Sequence, residues 1–142
     1  FPIGAITNGV HATTWTSEPF RRLFDRHIPE WRRDNQYLRY AITIPLEEVR
    51  AAHREAKEAM LDEVLKRTGV ALDPAVFTLC FARRATTYKR ADLIFSDLDR
   101  LRSIARNVGP MQIVYGGKAH PKDEWGKILI RKIHEAARAL DG

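Results

Sequence analysis

The sequence is poor in cysteine and has no long apolar run. Cys80 is the only cysteine among the 142 residues, so no disulfide can form within the chain. It lies in the apolar run from Ala75 to Phe81, where we expect a buried and chemically inert thiol. No secretory signal and no apolar stretch of ~18 residues is present. We therefore expect a cytoplasmic protein without a membrane-spanning helix.

Patterns that indicate metal binding or several common enzyme classes are also missing. His27, His53 and His134 are spread over separate predicted helices, and no carboxylate stands at ligand spacing beside them. The paired carboxylates of glycosidases are not evident. The spacing of the GxxxxGK[ST] phosphate loop is absent, which disfavours a nucleotide triphosphatase. We expect no metal site in this chain.

Positive charge is the feature in excess. There are 24 Lys and Arg residues against 18 Asp and Glu, which gives a net charge of +6. A basic balance favours anionic partners such as nucleic acid, acidic lipid or phosphate-bearing small molecules. A solvated basic surface explains the same charge without any partner. Composition leaves these alternatives open.

The hydrophobic periodicity predicts helices followed by an α/β region. Ser17 is expected to cap a short helix that ends before Pro29, and a long helix begins at Pro45 and ends at Gly69. Two apolar strands then alternate with two helices. Their predicted ranges are Val76 to Phe81, Tyr88 to Arg106, Met111 to Tyr115 and Asp123 to Leu140. This order predicts a βαβα unit with parallel strands, whose ligands bind at the carboxyl ends of the strands.

Burial follows from the same patterns. The nearly continuous apolar run of the first strand is typical of a strand buried on both faces. The last helix is expected to place Trp125, Ile128, Leu129 and Ile133 on its apolar side. Glu30 to Asn35 is expected to be a polar connector.

The loop after the first strand is the main candidate site. It contains Arg83, Arg84, Lys89 and Arg90 and leads into the predicted helix from Tyr88. A guanidinium fork, an ammonium group and the free N–H groups of a helix N-terminus together suit a phosphate dianion. The alternative is a solvated basic helix start. Its position after a strand favours the anion site.

Two further segments contain candidate residues. Gly116-Gly117-Lys118 follows the second strand, where paired glycines allow a close backbone approach and Lys118 can bind a phosphate or a carboxylate. Near the start of the chain, Asn8 stands beside Gly9, with Thr7 and His11 nearby. An amide at this place can hydrogen-bond a sugar hydroxyl. A plain turn is the alternative in both segments.

Three segments together resemble the glycogen and α-glucan phosphorylases. Their residues look most like those of the short bacterial and archaeal type. They occur in family order and are Ile6 to His11, Phe81 to Arg90 and Gly116 to Pro121. The resemblance implies a two-domain glycosyltransferase fold with the active site between two Rossmann-like domains. Residues 1–45 would be the inter-domain entry segment with a short helix. Residues 46–142 would be the first part of the C-terminal domain, with a partial Rossmann-like parallel sheet.

The resemblance also implies an activity and roles for single residues. Family members use inorganic phosphate to release glucose 1-phosphate from an α-1,4-glucan, with pyridoxal phosphate as a Schiff-base cofactor whose 5′-phosphate takes part. Arg84 and Lys89 match the ligands of the substrate phosphate, and Asn8 matches the asparagine that binds glucose. Lys118 lies in the motif near the cofactor. Thr86-Thr87 stands where many members have His-Glu, which concerns the local positioning of the loop.

The chain begins without Met and ends directly behind a helical pattern, so we expect a piece of a longer protein. The cofactor lysine would lie outside it, and the isolated chain should hold no cofactor and be inactive. We expect no nucleic-acid or membrane partner. A two-stranded parallel sheet with uncovered faces suggests self-association, so a homo-oligomer is possible. The alternatives are a glycogen synthase-like nucleotide-sugar glycosyltransferase of the same fold and a basic nucleic-acid-binding module.

Overall fold

A computed structural model describes residues 3–6 and 8–140 of the chain. The chain divides into two compact units, Phe1–Pro74 and Ala75–Gly142. In the described ranges the first unit contains helices and the second combines helices with a parallel sheet. This is a mixed helix and strand architecture consistent with the α/β class predicted from the sequence. No helix in the described part is both long and apolar enough to cross a membrane.

In its described residues, the first unit contains three α-helices and two 3₁₀ helices. Their bounds are α1 Ala12–Trp15, α2 Glu18–His27, 3₁₀ helices Pro29–Arg32 and Asn35–Thr43, and α3 Leu46–Thr68. The start of α2 at Ser17 and the end of α3 at Gly69 are confirmed, although the side chain of Ser17 makes no capping hydrogen bond. Gly69 has φ 74°, a left-handed conformation that favours glycine.

The core of the first unit surrounds Trp31, which is fully buried. Leu23, Ile28, Ile44 and Ala52 complete the buried cluster. The indole N–H of Trp31 donates to Asp25 Oδ1 at 2.8 Å, so its polar atom is satisfied. The segment expected to be a polar connector is therefore a folded turn with the central residue of the core in it. Because arginines and carboxylates surround Trp31 in the sequence, the hydrophobic pattern does not indicate that it is a core residue.

The second unit is built on two parallel strands, β1 Phe77–Ala82 and β2 Met111–Gly116. Phe77 lies opposite Met111, and Ala82 lies opposite Gly116. Helices α4 Leu98–Asn107 and α5 Glu124–Leu140 complete the unit, together with two 3₁₀ turns at Thr87–Lys89 and Leu93–Phe95. Its buried residues are Ala85, Ala91, Leu101, Gly126 and Leu129.

Three expectations about burial are wrong. β1 is not buried on both faces, since none of its six residues is fully buried and Phe77 is 62% exposed. Cys80 is exposed as well. Trp125 is 70% exposed and Ile128 is 40% exposed, whereas Leu129 and Ile133 lie on the inward face of α5 as expected. That face also contains Gly126 and Ile130.

The helix predicted from Tyr88 to Arg106 is also wrong in its first half. The chain there forms two short 3₁₀ turns, and the α-helix starts only at Leu98. Arg90 has a left-handed backbone with φ 50°, which interrupts any helix at that residue. Asp97 then caps α4, because its Oδ1 accepts the N–H of Arg100 at 2.9 Å.

Candidate anion-binding site

The loops that follow β1 and β2 run side by side. The N–H of Arg83 donates to the carbonyl of Gly116 at 3.1 Å, and the N–H of Ala85 donates to the carbonyl of Lys118 at 3.1 Å. The parallel hydrogen-bond pattern thus continues beyond the last strand residues. Arg84 and Gly117 lie within this extension. The two loops therefore meet at the carboxyl edge of the sheet.

Gly117 permits the closest contact between the two loops. A Cβ atom at this residue would lie 2.1 Å from the carbonyl oxygen of Arg83, and the φ of Gly117 is 157°. Any other residue would clash with the backbone there. Gly117 alone of the two glycines therefore brings backbone against backbone, and Lys118 follows it directly.

The first turn of α5 packs against both loops. A Cβ atom on Gly126 would lie 2.5 Å from the carbonyl oxygen of Ala85 and 2.9 Å from the Cβ of Ala119. Asp123 caps this helix, since its Oδ1 accepts the N–H of Gly126 at 2.9 Å. The N-terminus of α5 thus packs against both loops. At least one of its free backbone N–H groups, that of Gly126, is already hydrogen-bonded.

Besides Lys122, which lies just before α5, five cationic side chains stand on these loops: Arg83, Arg84, Lys89, Arg90 and Lys118. None of the five forms an ion pair with a carboxylate in the part of the chain that the structure describes. All but the half-buried Lys89 are exposed. Elsewhere in the same unit, Arg102 pairs with Asp99 and Lys127 pairs with Glu124. Because the loop cations lack such partners, their charge remains available to an anion.

Lys89 and Tyr88 form a coupled pair on the 3₁₀ turn. The Nζ of Lys89 lies 4.9 Å from the centroid of the Tyr88 ring. A hydrogen bond from Lys89 lowers the pKa of the Tyr88 hydroxyl, and the charges of Lys89 and Arg84 act in the same direction. An environment that stabilises a phenolate also stabilises other oxyanions. The lowered pKa of Tyr88 thus reflects the positive charge that Lys89 and Arg84 place in this loop.

The origin of that potential differs from the prediction. No α-helix begins at Tyr88, so the free N–H groups of a helix N-terminus do not contribute. The turn is instead closed by backbone bonds, from the Lys89 N–H to the Thr86 carbonyl and from the Arg90 N–H to the Thr87 carbonyl, each at 3.1 Å. These bonds shape the loop through its backbone. The site therefore depends on guanidinium and ammonium groups.

Asn8 belongs to the first unit and is exposed. Its neighbour Thr7 lies outside the described residues. His11 precedes α1, and its Nδ1 lies 2.7 Å from the hydroxyl of Thr14. The structure therefore shows an accessible amide at Asn8. Its relation to the loops of the second unit is not part of what the structure describes.

Sequence comparison identifies the chain. It is 39% identical over 154 aligned residues to the maltodextrin phosphorylase of Thermococcus litoralis, covering 96% of the chain and 18% of that protein. It is 37% identical to the glycogen phosphorylase of Aquifex aeolicus, covering 96% of the chain and 23% of that protein. The chain matches a segment of a glycogen or maltodextrin phosphorylase. The resemblance inferred from the three motifs is confirmed.

A third phosphorylase is also similar to the chain, but the chain covers only a small part of each relative. The glycogen phosphorylase of Mycobacterium tuberculosis is 35% identical over 151 residues, covering 93% of the chain and 18% of that protein. The chain thus spans about a fifth of the length of the curated relatives that it matches. No family model matches the chain.

The sequence pattern does not single out several residues of the chain that have a structural role. Gly126 stands inside an ordinary helical pattern, and only its contact with Ala85 shows why it lacks a side chain. Tyr115 reads as one more apolar strand residue, although its hydroxyl donates to the carbonyl of Ala91. An isolated glycine in a helix is a signal that could have drawn attention to Gly126. No comparable signal marks Tyr115.

Proposed function

We propose that the chain is the part of an α-glucan phosphorylase that binds the substrate phosphate through Arg84 and Lys89. The observation that supports this most is the placement of five unpaired cations on two loops at the carboxyl edge of a parallel sheet. The parent enzyme then takes glucose units from an α-1,4-glucan with inorganic phosphate and releases glucose 1-phosphate. The proposed parent has the two-domain glycosyltransferase fold, with residues 46–142 in its C-terminal domain.

Arg84 and Lys89 contribute different chemistry. The planar guanidinium of Arg84 donates two parallel hydrogen bonds to a phosphate, which fixes its orientation. The ammonium of Lys89 is a compact charge that follows the phosphate as the glycosidic bond breaks. Fixed cations in a site that excludes water stabilise the charge that develops in the transition state. In the first unit, the exposed amide of Asn8 is proposed to hydrogen-bond the glucose.

Lys118 fits a place near the cofactor of the parent. Its side chain is exposed and unpaired in the described part of the chain, while its carbonyl is held by the N–H of Ala85. A lysine fixed in this manner can hold an anionic group such as the phosphate of pyridoxal phosphate. When bound, that cofactor supplies a phosphate group able to donate and accept a proton. The chain itself provides the charge that holds the two anions together.

The proposed function is tested in the full-length protein that contains this segment. Phosphate-dependent release of glucose 1-phosphate from an α-1,4-glucan is expected in the unaltered enzyme. Arg84→Ala and Lys89→Ala should each lower kcat by about 10²–10³, the range for loss of one donor to a developing charge. Arg131→Ala, which removes an exposed arginine of α5, is the matched control and should retain activity. Full activity of both loop variants would refute the assignment.

A further inference from the structure

Tyr115 connects the second strand to the exit of the loop that contains Lys89. Its hydroxyl donates to the carbonyl of Ala91 at 2.6 Å, across 24 residues of sequence. Its ring stacks on Phe81 with centroids 5.3 Å apart and lies 5.6 Å from the ring of Phe95. The ring is thus held on two sides, and the hydroxyl has a defined direction.

The carbonyl that Tyr115 binds lies at the most constrained place of the loop. Ala91 is 2% exposed and follows Arg90, the one residue other than glycine with a positive φ in the described part of the chain. A left-handed backbone is unfavourable at such a residue, so its surroundings must hold it in place. The N–H of Arg90 donates to Thr87 and the N–H of Leu93 donates to the carbonyl of Arg90, each at 3.1 Å.

We propose that Tyr115 is a positioning residue of the anion site, whose hydroxyl fixes Ala91 and thereby the directions of Lys89 and Arg90. This inference rests on the proposed function, because it concerns the same phosphate. Without the hydroxyl, the Arg90–Ala91 peptide can rotate toward more favourable backbone angles. Lys89 then loses its fixed direction toward the anion, and the loop must be ordered at the moment of binding. The affinity for phosphate falls accordingly.

The hydroxyl of Tyr115 remains a donor over the pH range of the enzyme. Burial raises the pKa of Tyr115, and the charge of Asp92 acts in the same direction. The proton therefore stays on the oxygen at neutral pH. Tyr88 shows the opposite shift in the same loop, because Lys89 stabilises its phenolate. The two tyrosines thus have different roles. Tyr88 interacts with the ammonium group of Lys89, whereas Tyr115 hydrogen-bonds the backbone carbonyl of Ala91.

Tyr115→Phe removes the hydroxyl and keeps the stacked ring, so it tests the hydrogen bond alone. In the 142-residue chain, the amide protons of Arg90 and Leu93 should exchange about two- to tenfold faster, the factor that corresponds to one net hydrogen bond. Exchange in α3 should not change. In a titration with inorganic phosphate followed by NMR at Arg84 and Lys89, the dissociation constant should rise by a similar factor. Tyr40→Phe, in the first unit, is the matched control for loss of a tyrosine hydroxyl.

The outcomes separate the inference from the proposed function. Unaltered exchange at Arg90 and Leu93, or an unaltered phosphate affinity, would overturn the positioning role of Tyr115. A purely structural role would lower the unfolding temperature and leave the affinity of the folded chain as it was, which would also overturn the inference. Absence of phosphate binding in the wild-type chain would contradict the proposed site itself, and the exchange rates alone would then decide whether Tyr115 anchors the loop.

Discussion

A Cβ atom on Gly117 would lie 2.1 Å from the carbonyl oxygen of Arg83, so the loops after the two strands touch through their backbones. Gly116 precedes it directly and has nothing within 4 Å of the corresponding position. The two neighbouring glycines therefore have different structural requirements. Replacing each glycine by alanine makes the same chemical change at both positions, but the two variants should differ in stability and phosphate binding.

Gly117→Ala is expected to lower the free energy of unfolding by about 1–3 kcal/mol, the usual cost of inserting atoms into a packed place. It should also weaken phosphate binding, because Arg84 must follow the displaced carbonyl of Arg83. Gly116→Ala should leave both quantities close to those of the wild type. Thermal unfolding and phosphate titration of the two variants check this. Equal behaviour of the pair would contradict the close contact.

The pairing of Lys89 with Tyr88 leads to a second prediction. Because a hydrogen bond from Lys89 lowers the pKa of the Tyr88 hydroxyl, Lys89→Met should raise that pKa toward the usual tyrosine value of 10.0. Arg84→Met should raise it less, since Arg84 acts through charge alone. An NMR titration of ring-labelled tyrosine resolves Tyr88 from the other three tyrosines.

The control for this titration is a lysine in the first unit. Lys66 lies in the last turn of α3, and it does not contribute to the shift of Tyr88. Lys66→Met should leave the Tyr88 titration as it is in the wild type. If Lys89→Met also left the titration unaltered, the ammonium would not lie beside the phenol in solution.

Local sequence signals predict the parts of the fold that depend on neighbouring residues. Helix α3 follows from Pro45 at its start, helical spacing of its apolar residues and Gly69 at its end, and all three are confirmed. The two strands are predicted because their apolar runs are short and lie next to Gly or Pro residues. Their parallel pairing follows from the helix that connects them. The matches of three motifs in order were sufficient to indicate the phosphorylases.

Long-range contacts account for what the sequence did not show. Arg90 adopts a left-handed backbone within a sequence of good helical pattern, next to a carbonyl that Tyr115 holds from another strand. Periodicity cannot report a bond over 24 residues, so the helix was extended wrongly from Tyr88. Trp31 stands among charged residues in the sequence, and the guanidinium of Arg32 lies 5.0 Å from the centroid of its ring. Its burial depends on the packing of separate helices, which local composition does not reveal.

Asp25 makes stability sensitive to acid. Hydrogen bonds from Arg32, at 2.7 and 2.8 Å, and from the Trp31 indole lower the pKa of Asp25 from 3.8 to about 2. A carboxylate with a depressed pKa stabilises the fold above the unfolded value of 3.8, and this contribution is lost as the pH falls through about 2. Stability should therefore decrease between these two values.

Asp25→Asn is expected to lower the unfolding temperature at neutral pH and to flatten its decline in this acid range. The asparagine can still accept the Trp31 N–H, so the charge is the main loss. Asp62→Asn, on the exposed side of α3, is the matched control and should keep the wild-type pH profile. Unfolding temperatures measured from pH 5 to pH 2 provide the test. An Asp25→Asn profile parallel to the wild type would refute the coupling.

The net positive charge belongs entirely to the second unit. From residue 75 onward the sequence has 13 Lys and Arg residues against 7 Asp and Glu, whereas residues 1–74 contain 11 of each kind. Such a distribution suits a phosphate site, and it also suits a surface for nucleic acid. The two functions differ in where the charge must lie, since a phosphate site needs the loop and a polyanion uses a whole face.

We expect no binding of a short single-stranded oligonucleotide at physiological salt, and weak binding that falls steeply with added salt below it. Fluorescence anisotropy at two salt concentrations measures this. At low salt, Arg84→Ala and the α5 variant Arg131→Ala should reduce the residual binding equally, because non-specific attraction depends on total charge. Inorganic phosphate should instead distinguish the two variants, with loss at Arg84 and none at Arg131. Tight oligonucleotide binding at physiological salt, unaffected by Arg84→Ala, would favour the nucleic-acid module over the phosphorylase site.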